Sequence, residues 1–104
     1  MSGTIVINEG PSFLMATWMY DYIKELVLEN SSTHLREAIA LAYSEFEYLG
    51  IVDFSEFEPG DFKELVKSFD LSRAALGNSE HDKIARKIIE EMIAAMSEDA
   101  RASA

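Results

Sequence analysis

The chain contains no cysteine, which excludes disulfides and thiolate metal centres and fits a reducing, cytoplasmic setting. It has only two histidines, His34 and His81. Neither stands in an H-E-x-x-H or E-x-x-H spacing, so zincin and di-iron carboxylate chemistries lack their key ligands. Its five glycines are scattered, which leaves no Gly-rich loop to cradle a phosphate. No apolar run approaches the roughly 18 residues that span a bilayer. The opening MSGTIVINEGPS lacks the basic start and apolar stretch of a secretory signal. Basic residues are also scarce: nine Lys and Arg face nineteen Asp and Glu, for a formal net charge of −10. Phosphate backbones and anionic lipid surfaces both need cations opposite them, so direct nucleic-acid binding and membrane binding are disfavoured.

What is present suits a single globular domain. At 104 residues, 48% hydrophobic and 11% aromatic, the chain can bury a core without covalent staples. The negative charge is concentrated in one stretch. Glu45–Glu64 holds seven carboxylates against the single Lys63, a net −6 of the chain's −10. Phe46, Tyr48, Phe54, Phe57 and Phe62 are interleaved with those acids.

Read in order, residues 4–8 (TIVIN) are β-branched, but a lone strand has nothing obvious to pair with, so an extended arm lying on helices is expected. A first helix is expected over residues 11–29, with Pro11 in its first turn. Met15, Met19, Tyr22, Ile23 and Leu26 share one face, and Thr17, Asp21, Lys24 and Glu25 lie opposite. A second is expected over 33–49, capped from Asn30-Ser31-Ser32 and ended by Gly50. It turns Leu35, Ala38, Ile39, Ala42, Tyr43, Phe46 and Leu49 inward, and Ala38 and Ala42 predict close helix approach. Ile51, Val52, Phe54 and Phe57 then predict a loop that plugs the end of the bundle, with Pro59-Gly60 as its closing turn. A third helix is expected over 61–70, with Asp61 and Glu64 at capping-box spacing, followed by a short turn through Ala75. A fourth, over 79–96, starts at Ser79 and buries Ala85, Ile88, Ile89, Met92 and Met96; residues 97–104 read as a frayed tail. The predicted class is all-α: a small bundle of four main helices with a short extended N-terminal arm and a structured aromatic-rich loop between helices 2 and 3.

Nucleophilic catalysis requires an activated Ser, Cys or Lys beside a base. His34 and His81 both fall in first turns, where they read as polar helix-start residues. Carboxylates abound, but no apolar run isolates one and raises its pKa. Asp53 and Glu56, crowded by aromatics, are the pair that a small enzyme or metal-binding protein would use. Asp53–Glu64 has the twelve-residue length of a calcium loop, yet Phe57 and Glu58 stand where a ligand and the turn glycine belong. No catalytic residue, metal ligand set or cofactor site is therefore assigned.

What remains is binding. Tyr48 lies off the inward stripe of helix 2. With Glu37, Leu41, Glu45 and Glu47 on that helix, and Asp53, Glu56 and Glu58 on the following loop, it forms an acidic patch with an aromatic anchor. Such a patch suits a basic protein partner. A homodimer joined through Phe13, Leu14 and Leu28, or through the Ile5–Ile7 arm, is the alternative. In composition the chain resembles small acidic proteins that inhibit a basic target: immunity proteins of toxins, antitoxins and phage proteins that mimic nucleic acid.

Overall fold

Residues 2–6 form the middle strand of a three-stranded sheet, and that sheet overturns the all-α expectation. The computed structural model describes residues 2–104. Its elements run β1 (Ser2–Val6), β2 (Ser12–Ala16), α1 (Thr17–Glu29), α2 (Thr33–Glu45), a 3₁₀ turn (Glu47–Leu49), β3 (Ile51–Asp53), α3 (Pro59–Ala75), α4 (Glu80–Ser97) and a second 3₁₀ turn (Ala100–Ala102). The sheet order is β2-β1-β3, with β2 antiparallel and β3 parallel to β1.

The expected arm thus finds two partners, each hidden in a segment that reads as something else. β2 occupies what the periodicity assigns to the first turns of helix 1. Phe13, Leu14 and Met15 fit either period, and the deciding signal is Asn8-Glu9-Gly10-Pro11 ahead of them. The Asn8 carboxamide oxygen accepts from the Gly10 amide at 2.7 Å, which closes the hairpin turn. β3 comes from the expected plug, and its registers Thr4↔Ile51 and Ile5↔Val52 bury Val52 beside β1. Gly50 makes this pairing possible. It sits at φ 66°, and a Cβ there would lie 2.9 Å from the Ser2 carbonyl oxygen. Its own carbonyl accepts from Thr4 at 2.8 Å.

Along β1, Gly3 and Ile5 face the helices, and Ile7 follows them into the core. Ile5 and Ile7 are completely buried, so the Ile5–Ile7 arm offers nothing to a second copy. Phe13 and Leu28 are partly buried against the core, which leaves Leu14 as the exposed member of the other proposed dimer surface.

α1 buries Met19, Tyr20, Ile23 and Val27; Tyr22, expected inward, is at the surface and donates to the Asp82 carboxylate. α2 is capped by Ser32, which accepts from the Leu35 amide, and it buries Leu35, Ile39, Ala42 and Tyr43. It ends at Glu45, four residues earlier than expected, and Leu49 is exposed rather than inward. α3 begins at Pro59, whose fixed φ suits a first helical position, so Pro59-Gly60 opens the helix instead of closing a turn. The expected capping box is displaced with it: Asp61 lies inside the first turn and faces His34 Nε2 at 3.2 Å. α3 runs on through the expected break to Ala75, and the buried Ser72 hydroxyl donates to the Ser68 carbonyl at 2.7 Å. α4 starts behind Ser79, which accepts from the Asp82 amide.

The carboxyl-terminal residues do not fray. Arg101 Nη1 donates to the carbonyls of Phe54, Ser55 and Phe57 at 2.8, 3.2 and 3.0 Å. Nη2 donates to the Ile7 carbonyl and to Asp99 Oδ2, both at 2.9 Å, and Nε to Asp99 Oδ1 at 2.9 Å. The guanidinium carbon lies 3.9 Å from the centre of the Phe62 ring. The Asn8 amide adds a 2.8 Å bond to Asp99. One side chain thus ties the exit of β1, the loop after β3, the start of α3 and the tail.

Arg101→Ala should destabilise the fold by about 3 kcal/mol, since it takes the guanidinium from Asp99 and the side-chain donor from the Ile7, Ser55 and Phe57 carbonyls, while the Phe54 carbonyl keeps the Phe57 amide at 3.2 Å. Arg101→Lys should recover only part, because an ammonium lacks the planar fork. Urea unfolding measures both. The Arg101 side chain, aided by Asn8 against the desolvation of its site, holds the Asp99 carboxyl well below the usual carboxylate range. Its contribution is complete above the ordinary value of about 3.9 and is lost as pH falls from there towards the depressed folded value. Asp99→Asn should accordingly lower stability at pH 6 and flatten its loss on the acid side.

Candidate functional site

The residues of the expected acidic patch fall into two separate places. On α2, Glu37, Leu41 and Glu45 succeed one another at four-residue spacing on the exposed face, with Leu41 70% accessible. Across from them stand Asp53 at the end of β3 and Glu56 in the loop before α3. Leu41, Glu45, Asp53 and Glu56 edge an open groove of about 370 Å³. Its floor is Ala38, Ala42, Phe46 and Phe57. The two alanines, expected to admit a neighbouring helix, instead leave the space that makes the groove.

The groove is held stiffly. Asp53 Oδ1 accepts from the Ser55 amide at 2.8 Å, and Arg101 binds the next carbonyls of the same loop. Among the described residues no cationic side chain lines the groove, so its three carboxylates project a field of one sign over an apolar floor. Glu56 also borders a neighbouring concavity that contains Glu9, where Arg101 is already neutralised by Asp99.

Glu47 and Tyr48 belong elsewhere. They sit on the 3₁₀ turn rather than on helix 2 and line a different cavity of about 200 Å³. Tyr48 is 83% exposed at its mouth. Its inner wall is Thr17, Tyr20 and Tyr43, and Asp21 and Lys24 stand on its α1 side. Glu37 and Glu58 are exposed and line neither cavity; Glu58 immediately precedes α3. Thr17, Tyr20, Asp21 and Tyr43 were not among the candidates. A signal for three of this cavity's side chains was present, since Thr17, Asp21 and Lys24 form the polar line of α1. Nothing local pairs that line with a turn thirty residues away.

The histidines stand apart from the groove: His34 faces Asp61, and His81 packs on Trp18 with ring centres 4.7 Å apart. Among the described residues no three His, Asp or Glu side chains converge as a metal site would require. Among the described residues lining the groove, Asp53 and Glu56 are joined by Glu45 but by no histidine, serine, threonine or lysine.

The tyrosine cavity is more distinctive electrostatically. Burial, then the charges of Asp21 and Glu47, push the Tyr20 phenol up to about 12. Tyr43 is raised further, chiefly by burial. Gly3 admits the Tyr20 ring to the sheet, since a Cβ there would lie 2.2 Å from it.

No family model matches the chain, and no curated protein matches it in sequence. In structure it is similar to the CdiI immunity protein in the solved complex of the CdiA-CT toxin from Burkholderia pseudomallei E479 with that cognate immunity protein. The TM-score is 0.81 at 16% identity, covering 96% of this chain and 98% of the other. The likeness is one of fold.

Spectrophotometric alkaline titration tests the cavity's field. Because its folded value is raised, the Tyr20 phenol contributes stability that is complete below the unfolded value of about 10 and is lost as pH rises through the folded one. Asp21→Asn should move this late tyrosine transition to lower pH; a transition left in place would show that Asp21 does not act on the ring.

Proposed function

We propose that this protein is a non-enzymatic, immunity-type inhibitor that binds a protein toxin and blocks it through the acidic groove. The end-to-end fold likeness to the CdiI protein, at nearly equal chain length, is the observation that carries the reading. The groove supplies a matching chemistry. Glu45, Asp53 and Glu56 edge an apolar floor with no cation among the described lining residues, and a basic toxin surface is attracted to such a field before contact. Leu41 then offers an exposed apolar anchor on the edge of the groove beside the charges. A toxin that acts on an anionic substrate needs a cationic site, so an acidic protein seated there competes directly with that substrate.

Growth provides the test. Each reading frame flanking the gene is expressed under an inducible promoter; one should arrest growth, and co-expression of this chain should restore it. Arrest without restoration by any arresting neighbour would overturn the proposal. With the toxin in hand, Glu45→Lys combined with Glu56→Lys should slow association by a factor on the order of 10 and flatten its salt dependence. Stopped-flow binding across a salt series reads both, and unchanged rates would remove the groove from the interface.

A further inference from the structure

The sheet has two edges, and they are treated differently. β3 is three residues long, ends on the charged Asp53 and is bridged on its outer side by Phe46, whose carbonyl accepts from the Ile51 amide at 3.3 Å. Short length, charge and cover are the usual means of keeping an edge from pairing. β2 has none of them. It is five residues long, its sequence SFLMA carries no charge, and no strand lies beyond it among the described residues.

The ladder fixes where the free backbone groups of β2 point. Thr4 donates to the Gly50 carbonyl and the Val6 carbonyl accepts from Phe54, both at 2.8 Å, so these residues of β1 turn their backbone to β3. Gly3 and Ile5 then serve β2, at Met15 and Phe13. The amide and carbonyl of Leu14 therefore face away from β1, and no hydrogen bond among the described residues reaches them. The Leu14 side chain is 71% exposed on the sheet's outer face. Trp18, just beyond the strand, rests on His81 and is still 48% exposed.

Charge selects the occupant. Residues 10–20 are the longest uncharged run in a chain of net charge −10. A basic partner finds no carboxylate to pair with there, whereas a second copy, repelled by the acidic surface elsewhere, meets no like charge. The strand is also self-complementary. Antiparallel pairing centred on Leu14 sets that residue against its own symmetry mate as a hydrogen-bonded pair, Phe13 against Met15 and Ser12 against Ala16. Apolar side chains then oppose apolar ones on both faces of the sheet.

We propose that two copies of this chain pair through β2 into a dimer with one continuous six-stranded sheet, three strands from each. The proposal goes beyond the immunity reading and does not rest on it. β2 and β3 are opposite edges, so the dimer leaves both acidic grooves, each beside its Asp53, at the far ends of the joined sheet.

Sedimentation velocity on the full chain in about 0.5 M salt, where repulsion is screened within about 4 Å, should show a monomer–dimer equilibrium. Lowering the salt should weaken the dimer, the reverse of the toxin association described above. Leu14→Lys sets two ammonium groups at the symmetry axis and should give a monomer with an unchanged melting temperature, since the side chain is exposed. Leu14→Cys gives the chain its one cysteine, and the Cα separation of about 5.5 Å at the axis lies within disulfide range. On mild oxidation it should cross-link about tenfold faster than Leu41→Cys, which is equally exposed. A monomer at every concentration up to about 1 mM would overturn the proposal. So would a Leu14→Lys chain that still dimerises, a dimer that tightens as salt is lowered, or equal cross-linking at the two positions. Growth restoration by a chain that stays monomeric would leave the immunity reading standing.

Discussion

The Arg101 guanidinium is the contact on which the remaining geometry depends. The loop between β3 and α3 has three carbonyls, at Phe54, Ser55 and Phe57, that no sheet or helix ladder serves, and Arg101 takes all three. Buried carbonyls need partners, and a loop free to seek them in water would not hold one shape. That same loop forms one wall of the acidic groove through Asp53, Glu56 and Phe57. The constraint reaches the sheet as well, through the Ile7 carbonyl and through Asn8, which shares Asp99 with the arginine.

This clasp explains why the sequence yielded the helices more readily than the fold. Helical stripes are local, and α4 coincides within a residue with its expected span because Ser79 and the Ala85–Met96 apolar period lie next to each other in the chain. The sheet is not local. Ile5 pairs with Phe13 across a turn and with Val52 from forty-seven positions away, and no window of the sequence holds both partners. Residues 12–16 were misread because a three-residue apolar run carries no period of its own. The turn chemistry of Asn8-Glu9-Gly10-Pro11 outweighed it in the folded chain. The tail was misread for a related reason. SEDARASA is small and polar, so composition alone predicts fraying, whereas two of its side chains, Asp99 and Arg101, find their partners at Asn8 and in the 54–57 loop.

The candidate patch was legible as chemistry and not as shape. Leu41, Glu45, Asp53 and Glu56 do come together around one groove. Glu47 and Tyr48 do not join them, because α2 ends at Glu45 and the chain tightens into a 3₁₀ turn before Gly50 reverses it. Four residues of lost α-helix are enough to swing that pair to the other side. Helical projection cannot anticipate such a change, since it assumes that the helix continues.

The two surfaces are nonetheless one mechanical unit. Tyr20 meets Tyr43 edge-on at 5.3 Å, Tyr43 meets Phe54 at 6.1 Å, and Phe54 meets Phe57 at 5.3 Å. This chain of rings runs from the wall of the tyrosine cavity through the core to the floor of the groove. Edge-to-face aromatic contacts fix both distance and tilt, so the spacing between the two openings is set by packed side chains rather than by a loop. For the binding mode proposed above, such rigidity would leave little conformational entropy to be lost at the groove. Among the described residues, the two ends of this aromatic spine differ in character: carboxylates crowd around the groove at one end, and two hydroxyls are buried without partners beside the cavity at the other.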